Sequence, residues 1–497
     1  MRLYNGVRYF DRPSPINVRR LDFGALPMIA KFHRNGIRVD LPYLASLETD
    51  FTSYTFHRTI DGKDREFRGL LGLEAAVMAS IGPAYQDFHK GVYRPFNIGS
   101  PDQVGRLLFQ HLKIQGSDPV AMTASEGSDQ FATGGDILEK YRDRHPACGL
   151  ILDYRELAKL VGTYVRPLQL QADPITHRIH TRFSVTTAAT GRLASFDPNL
   201  QNIPTRSLLG KLIRAAFIAS PGNVLVSNDL SQIEMRWAAH LAQDPTMMGV
   251  FIREEDVHDR TACEIFGRSL DEITALKKKV KKGLATSAEE ATYKYFTQFE
   301  RLPSKTIGFG ILYGQTAQGL YDSIMLSKDP NWSDKERQDF ESQWTLSRCE
   351  KLIEQWYGVY NRIREWMELQ FSRARRWGKV WDAFGRFRHV PEVYSAHKRI
   401  KNEGLRKAGN HGVQSSAQGT IKLAMAELDP ISDFFNSGPG CVCLPLLQIH
   451  DELMHELDRG QARDYADVAS EIMEGATPIS IPIKSSSDIA ERWSDLK

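Results

Sequence analysis

The segment Arg301-Leu-Pro-Ser-Lys305-Thr-Ile-Gly-Phe309-Gly-Ile-Leu-Tyr313-Gly314 carries Arg301, Lys305, Phe309 and Tyr313 at every fourth position. On an α-helix rising about 1.5 Å per residue these four side chains extend roughly 18 Å along one broad face. Two cations followed by two aromatic rings suit a triphosphate at one end and a flat base at the other. Surface decoration by cation–π pairs is the alternative for the same pattern. Gly308 and Gly310 weaken a helix interior, which points to close packing or movement there.

Upstream lies Val224-Leu-Val-Ser-Asn-Asp229-Leu-Ser-Gln-Ile-Glu-Met-Arg236. The spacing predicts a short apolar strand over 224–226, an acid at its end, and a helix over 231–241. An acid so placed opens onto a cleft and could hold a metal. The competing reading is a helix start, because Ser231 and Glu234 fit the Ser-x-x-Glu capping box. Downstream, Leu446-Leu-Gln-Ile-His450-Asp451-Glu452-Leu-Met-His-Glu456 reads as a hairpin whose tight turn carries the acids. A solvated hairpin tip would look the same. Mg²⁺ typically takes one or two carboxylates plus substrate phosphate oxygens, so Asp229 and Asp451 form a metal site only if the fold brings them together.

Further out, helical spacing places helices over 22–50, with Asn35-Gly36 as a stop, and over 149–170. Ser100-Pro101 starts another over 97–112. The stretch 116–135 is rich in Ser, Thr, Gly and Asp and reads as a loop; 177–187 reads as strands, and a long helical region runs to about 375. At 497 residues the chain is long enough for about three domain-sized units. Its 41% apolar and 25% charged residues are those of a folded protein. No apolar run approaches a membrane span, and Met1–Arg20 lacks the apolar core of a signal peptide. Five scattered cysteines argue against a disulfide framework and for a reducing cytoplasm; Cys441 and Cys443 have no companions for a zinc site. The net charge is only +3, yet 373–407 holds eleven Lys or Arg against three acids, interleaved with Trp377, Trp381, Phe384 and Phe387. Such a run suits a phosphate backbone and stacked bases, or is a solvated basic face. The lysines between Lys277 and Lys282 read as a solvated insertion.

The three segments, in this order, resemble the family A (polymerase-I-like) DNA polymerases. Asp229-x-x-Gln232-x-Glu234-x-Arg236 is similar to motif A, Arg301-x₃-Lys305-x₆-Tyr313-Gly314 to motif B, and His450-Asp451-Glu452 to motif C. Thr190-Gly-Arg192-Leu-Ala-Ser-Phe-Asp-Pro-Asn199-Leu-Gln201-Asn202-Ile-Pro204 resembles the primer–template segment. Arg406-x₃-Asn410-x₃-Gln414, with Lys422 beyond, resembles the template-side helix. Phe96-Asn97-Ile-Gly-Ser100-Pro-Asp-Gln103 and Tyr154-Arg155-Glu156-Leu-Ala-Lys159-Leu resemble thumb segments. The likeness runs from about residue 20 to the C-terminus.

The resemblance implies a helix-rich, mixed α+β right hand with an antiparallel palm sheet, helical fingers and a helical thumb. Its segments would be an N-terminal extension (1–20), a palm-proximal helical region (21–95), the thumb (96–175), the first part of the palm (176–240), the fingers (241–400, with an insertion at about 268–300) and the second part of the palm (401–497). It implies nucleotidyl transfer from a deoxynucleoside triphosphate to a primer 3′-hydroxyl, with two Mg²⁺ ions, replaceable by Mn²⁺, on Asp229 and Asp451. Glu452 would support them. Arg301 and Lys305 would neutralise the triphosphate, with Lys305 also placed to protonate pyrophosphate, and His258 would contact phosphate. Phe309 and Tyr313 would stack near the base, Glu234 would crowd the sugar 2′ position, and Gln232 would order that neighbourhood. Arg192, Gln201, Asn202, Arg406, Asn410, Gln414 and His450 would hold primer and template.

The implied partners are primer–template DNA and deoxynucleoside triphosphates, with no membrane and a cytoplasmic location, that of a host if the chain is phage-encoded. Ser415-Ser416 departs from the usual Gly-Thr after Gln414, as in some phage-like members. About twenty extra residues precede Arg301. With only about 20 residues before the likeness, neither a proofreading nor a 5′-nuclease domain is expected, and a separate exonuclease or processivity factor stays open. A single-subunit RNA polymerase shares the palm chemistry, but Glu234 and the later motifs argue against it; an idle DNA-binding subunit or a metal nuclease are the other readings.

Overall fold

A computed structural model describes residues 2–4, 7–9, 15–82, 85–89, 91–114, 131–204, 207–327 and 332–496; side chains are described from 18 onward within these ranges, except at 88, 89, 309 and 334. Most of the 116–135 stretch lies outside them. The chain forms two units rather than the three suggested by its length. The class is the expected one, helix-rich mixed α+β with a small sheet.

The first unit comprises Met1–Lys31, Phe183–Ala194 and Val226–Asp488. It holds most of a four-stranded sheet in the order Cys443–Ile449, Glu452–Asp458, Asn223–Leu230, Ser485–Ala490; residues 223–225 and 489–490 of these strands count with the second unit. Val224 to Asn228 are all buried, which is why an apolar run without alternation is stable here. The strand is longer than its three apolar residues suggested, running on to Leu230. The hairpin expected around His450 is present, with Ile449 opposite Glu452 across the turn.

The longest element, the 38-residue helix Lys398–Phe435, packs on the helices Ile233–Ala242 and Ala462–Gly475 and on the strand Cys443–Ile449. From His411 to Lys422 it is buried on every side, so its pattern has no polar stripe. Gly419 is needed for this: a Cβ there would sit 2.3 Å from the Phe384 ring. Lys422, grouped by resemblance with the template-side face, is 1% exposed and paired with Asp22 at 2.6 Å, which also accepts from Arg386. It braces the core.

The departure at Ser415-Ser416 has a structural role. Ser415 Oγ donates to the buried Asp382 carboxylate (2.6 Å), and Ser416 Oγ accepts from the Ala383 N–H (3.0 Å), pinning the turn of the hairpin Lys379–Trp381/Phe387–His389. Burial pushes the Asp382 carboxyl up, and the Ser415 hydroxyl pulls it back down. Ser415→Ala is therefore expected to destabilise the protein by about 1–3 kcal/mol, the cost of leaving a buried polar group short of a partner. Urea unfolding checks this, and an unchanged midpoint would remove that role from Ser415.

The basic run 373–407 spends part of its charge internally. Besides Arg386, Lys407 pairs with Glu392 and Glu403. Lys379 lies over Trp381 and Phe387, at 5.5 and 5.6 Å from the ring centres.

The second unit comprises Phe32–Arg182, Ser195–Leu225 and Ile489–Lys497. Ser100 caps the helix starting at Pro101, accepting from the Gln103 N–H, while Gln103 Oε1 accepts from the Asn97 N–H (2.6 Å). Leu107, Leu108 and Ile151 anchor its apolar core. The region read as helical over 21–95 also contains two hairpins, Thr55–Ile60/Lys63–Arg68 and Gln86–His89/Val92–Pro95. The first turns on Asp61-Gly62, both at positive φ (52° and 71°), the backbone a two-residue hairpin requires. Among the described residues no helix is long and apolar enough to cross a membrane.

Candidate active site

Asp229 is the one exposed residue in a strand otherwise buried from Val224 to Leu230. Asp451, half-buried, follows the left-handed His450 (φ 56°) in the adjacent hairpin turn. The two are locked in register because the Leu230 N–H donates to the Asp451 carbonyl (3.1 Å). Two amides hold the turn: Gln448 and Gln418 both donate to the His450 carbonyl, and Gln418 also reaches Asp451 Oδ1 at 3.5 Å. Neither amide is legible in the sequence, where a lone Gln carries no signal. Glu452 Oε1 accepts from the Ser227 hydroxyl (2.5 Å), so Glu452 faces the central strand.

Both acids are raised. Burial first, then Glu234 and Asp229, push the Asp451 carboxyl up to about 7, against a lowering by Arg192. Loss of hydration and then Asp488, on the edge strand, raise Asp229. A carboxyl raised above its unfolded value holds a proton in the folded state that the unfolded chain has already lost. Between about pH 4 and 7 the contribution of Asp451 to the stability of the metal-free protein is therefore expected to fall as pH rises, against the opposite slope of buried histidines such as His258, and Asp451→Asn should remove that contribution. A thermal-unfolding series in chelator checks this; the variant should melt about 2–4 °C higher than the parent at pH 8, and coincident profiles would contradict it.

The helix expected from Ser231 begins at Ile233, and the capping box does not form. Gln232 precedes the helix in a left-handed conformation (φ 54°) with no side-chain cap. Glu234 is drawn elsewhere: Arg192 Nη2 donates to its Oε1 and the Tyr313 hydroxyl to its Oε2, both at 2.6 Å. Glu234 is 7% exposed, so these two donors stabilise a buried carboxylate.

Tyr313 sits just past the helix Leu302–Leu312, which ends on Gly314 at φ +67°. Gly310 packs against Gln315, whose Oε1 lies 1.8 Å from a Cβ built there; Gly308 has only ordinary contacts. Close packing thus explains one of the two glycines. The side chain of Phe309 lies outside the described set. Lys305 is exposed on this helix. Arg301 closes the preceding turn, Phe296–Arg301, and donates to Asp259 and to Asp256 (2.8 Å). His258, on the helix Val257–Phe266, is 4% exposed. Burial, then Arg301 and Lys305 against a partial offset by Asp256, depress its ring to about 4, so it is neutral at pH 7.

Arg406, Asn410 and Gln414 share one face of the long helix. Arg406 is exposed and its Cγ lies 2.7 Å from a Cβ built on Gly314, which ties this face to the Tyr313 corner. Asn410 Oδ1 is buried without a hydrogen-bond partner among the described residues. Gln201 and Asn202 belong to the second unit, where Gln201 Oε1 accepts from the Ser195 N–H (3.1 Å) and the Asn202 carbonyl from the Tyr164 hydroxyl (2.6 Å).

Among the described residues no three His, Cys, Asp or Glu side chains converge as a protein-only metal cage. Two carboxylates with all-oxygen donors fit Mg²⁺ or Mn²⁺, which complete their shell with water and substrate oxygens.

Asp229 and Asp451 thus adjoin in one sheet beside the Glu234–Tyr313 hydrogen bond, and the comparisons name the family. The family model for DNA polymerase family A matches residues 70–495. The thermostable DNA polymerase I of Thermus thermophilus is 33% identical over 470 residues, 95% of this chain and 47% of its own length. DNA polymerase I of Deinococcus radiodurans is 34% identical over 434 residues, covering 87% and 40%. A solved structure of the POL domain of Pol1 from M. smegmatis, in complex with DNA primer-template and dNTP, superposes with a TM-score of 0.73 at 27% identity, covering 96% of this chain and 70% of that one. The chain belongs to DNA polymerase family A. It spans about half the length of the curated relatives it matches.

Proposed function

We propose that the chain is a template-directed DNA polymerase that extends a primer 3′-hydroxyl with deoxynucleotides, and that Asp229 and Asp451 hold two divalent ions. The observation that carries this reading is the placement of these two acids on adjoining parts of one sheet, tied by the bond from the Leu230 N–H to the Asp451 carbonyl, beside the Arg192–Glu234–Tyr313 cluster. When bound, the ions would activate the attacking hydroxyl and stabilise the leaving oxygens of an in-line displacement.

The chain's own residues supply the rest. Asp451 must give up its proton to serve as a ligand, and Arg192 favours the ionised form. Glu452, held by Ser227, keeps a second carboxylate beside the turn. Lys305 and Arg301 supply positive charge for the triphosphate, and neutral His258 can donate one N–H to a phosphate oxygen. Glu234 fills the space a ribose 2′-hydroxyl would need, which favours deoxynucleotides and argues against an RNA polymerase. Gln232 shapes the same wall, and Phe309 and Tyr313 stack near the incoming base. Arg406, Asn410, Gln414, His450, Arg192, Gln201 and Asn202 hold primer and template; minor-groove hydrogen bonds suit this because they are largely sequence-tolerant. On this reading 96–175 is the thumb and 241–400 the fingers. Primer extension with Mg²⁺ and deoxy- and ribonucleotides in parallel tests it. Growth with deoxynucleotides is expected; shortening of the primer would point to a nuclease, and equal growth with ribonucleotides to an RNA polymerase.

A further inference from the structure

The segment 268–300, whose lysines between Lys277 and Lys282 read from sequence as a solvated insertion, holds two helices, Leu270–Lys281 and Ser287–Tyr295. The solvated reading fits Lys278, Lys279, Lys281 and Lys282, which are exposed. It fails for Lys277. Its ammonium lies 2.5 Å from Asp259 Oδ2 and 3.4 Å from Asp256 Oδ2, with 26% of the side chain exposed. The other oxygen of Asp259 and the same Oδ2 of Asp256 accept from Arg301. Asp256 Oδ1 is occupied by the N–H groups of His258 and Asp259, at 2.9 and 3.0 Å. Two acids and two cations therefore form a closed quartet of zero formal charge at the base of the helix that carries Lys305.

We infer that Lys277 is a positioning residue for nucleotide binding: it neutralises Asp256 and Asp259 so that Arg301 can present its charge to the triphosphate. Without Lys277, a single Arg301 would face two carboxylates. The cluster would carry a net negative charge toward a polyanion, and Arg301 would be held more tightly by its acids. With Lys277 in place, the Nε and Nη2 groups of Arg301 are committed, while Nη1 remains as a further donor among the described residues. The inserted helix thus contributes to substrate affinity through charge without touching substrate. This rests on the proposed polymerase reading.

The test is steady-state single-nucleotide incorporation by four variants of the full chain. Lys277→Met is expected to raise KM for the deoxynucleoside triphosphate about tenfold with kcat changed less than twofold, the signature of lost uniform binding. Lys277→Arg should restore the parent KM. Asp259→Asn combined with Lys277→Met should recover most of the loss, because the uncompensated carboxylate is gone; Asp259→Asn alone should leave KM at or below the parent value. An unchanged KM in Lys277→Met overturns the inference. So does a loss that the double variant does not recover, since a merely structural defect would persist or worsen there. If the parent itself incorporates nothing, the polymerase reading fails instead.

Discussion

Replacing Asp229 or Asp451 with alanine is expected to lower primer extension by about 10³-fold or more while primer–template binding survives. Both acids lie at the ends of neighbouring sheet strands, and Asp451 is raised first by burial and then by Glu234 and Asp229, with Arg192 its opposing cation. On the proposed reading these two carboxylates are the direct ligands and Glu452 is held by Ser227, so losing one would leave the divalent ions short of charge. Affinity for nucleic acid comes instead from Lys and Arg contacts to phosphates, which these substitutions leave in place. Mobility-shift titration and extension assays on the same preparations separate the two effects. Near-normal extension by either variant would remove the metal role from that residue.

The second large effect is expected at Glu234. Glu234→Ala should admit ribonucleotides that the parent rejects, narrowing discrimination by about 10²-fold, because removing the side chain relieves a clash rather than adding a contact. The same carboxylate also anchors the Tyr313 hydroxyl and Arg192. Deoxynucleotide incorporation should therefore slow as well, since those donors lose their acceptor. Glu234→Gln, of equal size, should keep ribonucleotides out. Selectivity unchanged in the alanine variant would place the gate elsewhere.

Much of this site was legible in the sequence because its chemistry sits on short, ordered spacings. Asp229 ends an apolar run, His450-Asp451-Glu452 interrupts another, and the fourfold spacing from Arg301 marks a helix face. Local rules failed where tertiary partners won. Ser231 and Glu234 spelled a capping box, but Arg192 and Tyr313 compete for Glu234 from distant segments. Lys277 looked solvated because nothing in a run of lysines says that one of them meets Asp259. The Asp61-Gly62 turn was a readable signal inside a region that the resemblance alone implied to be helical. Ser415-Ser416 could be seen as a departure, but its meaning required Asp382, 33 residues away along the chain. Gln418 and Gln448 were silent, since a hydrogen bond to a carbonyl leaves no mark on sequence pattern.

The most direct measurement is single-nucleotide addition to one primer annealed to four templates that differ only in the base opposite the next position, with Mg²⁺ and each deoxynucleoside triphosphate offered separately. Addition of the complementary nucleotide on each template, and of it alone, is the expected result. The same nucleotide added on all four templates, or a primer that never grows, would contradict template-directed DNA synthesis by this chain.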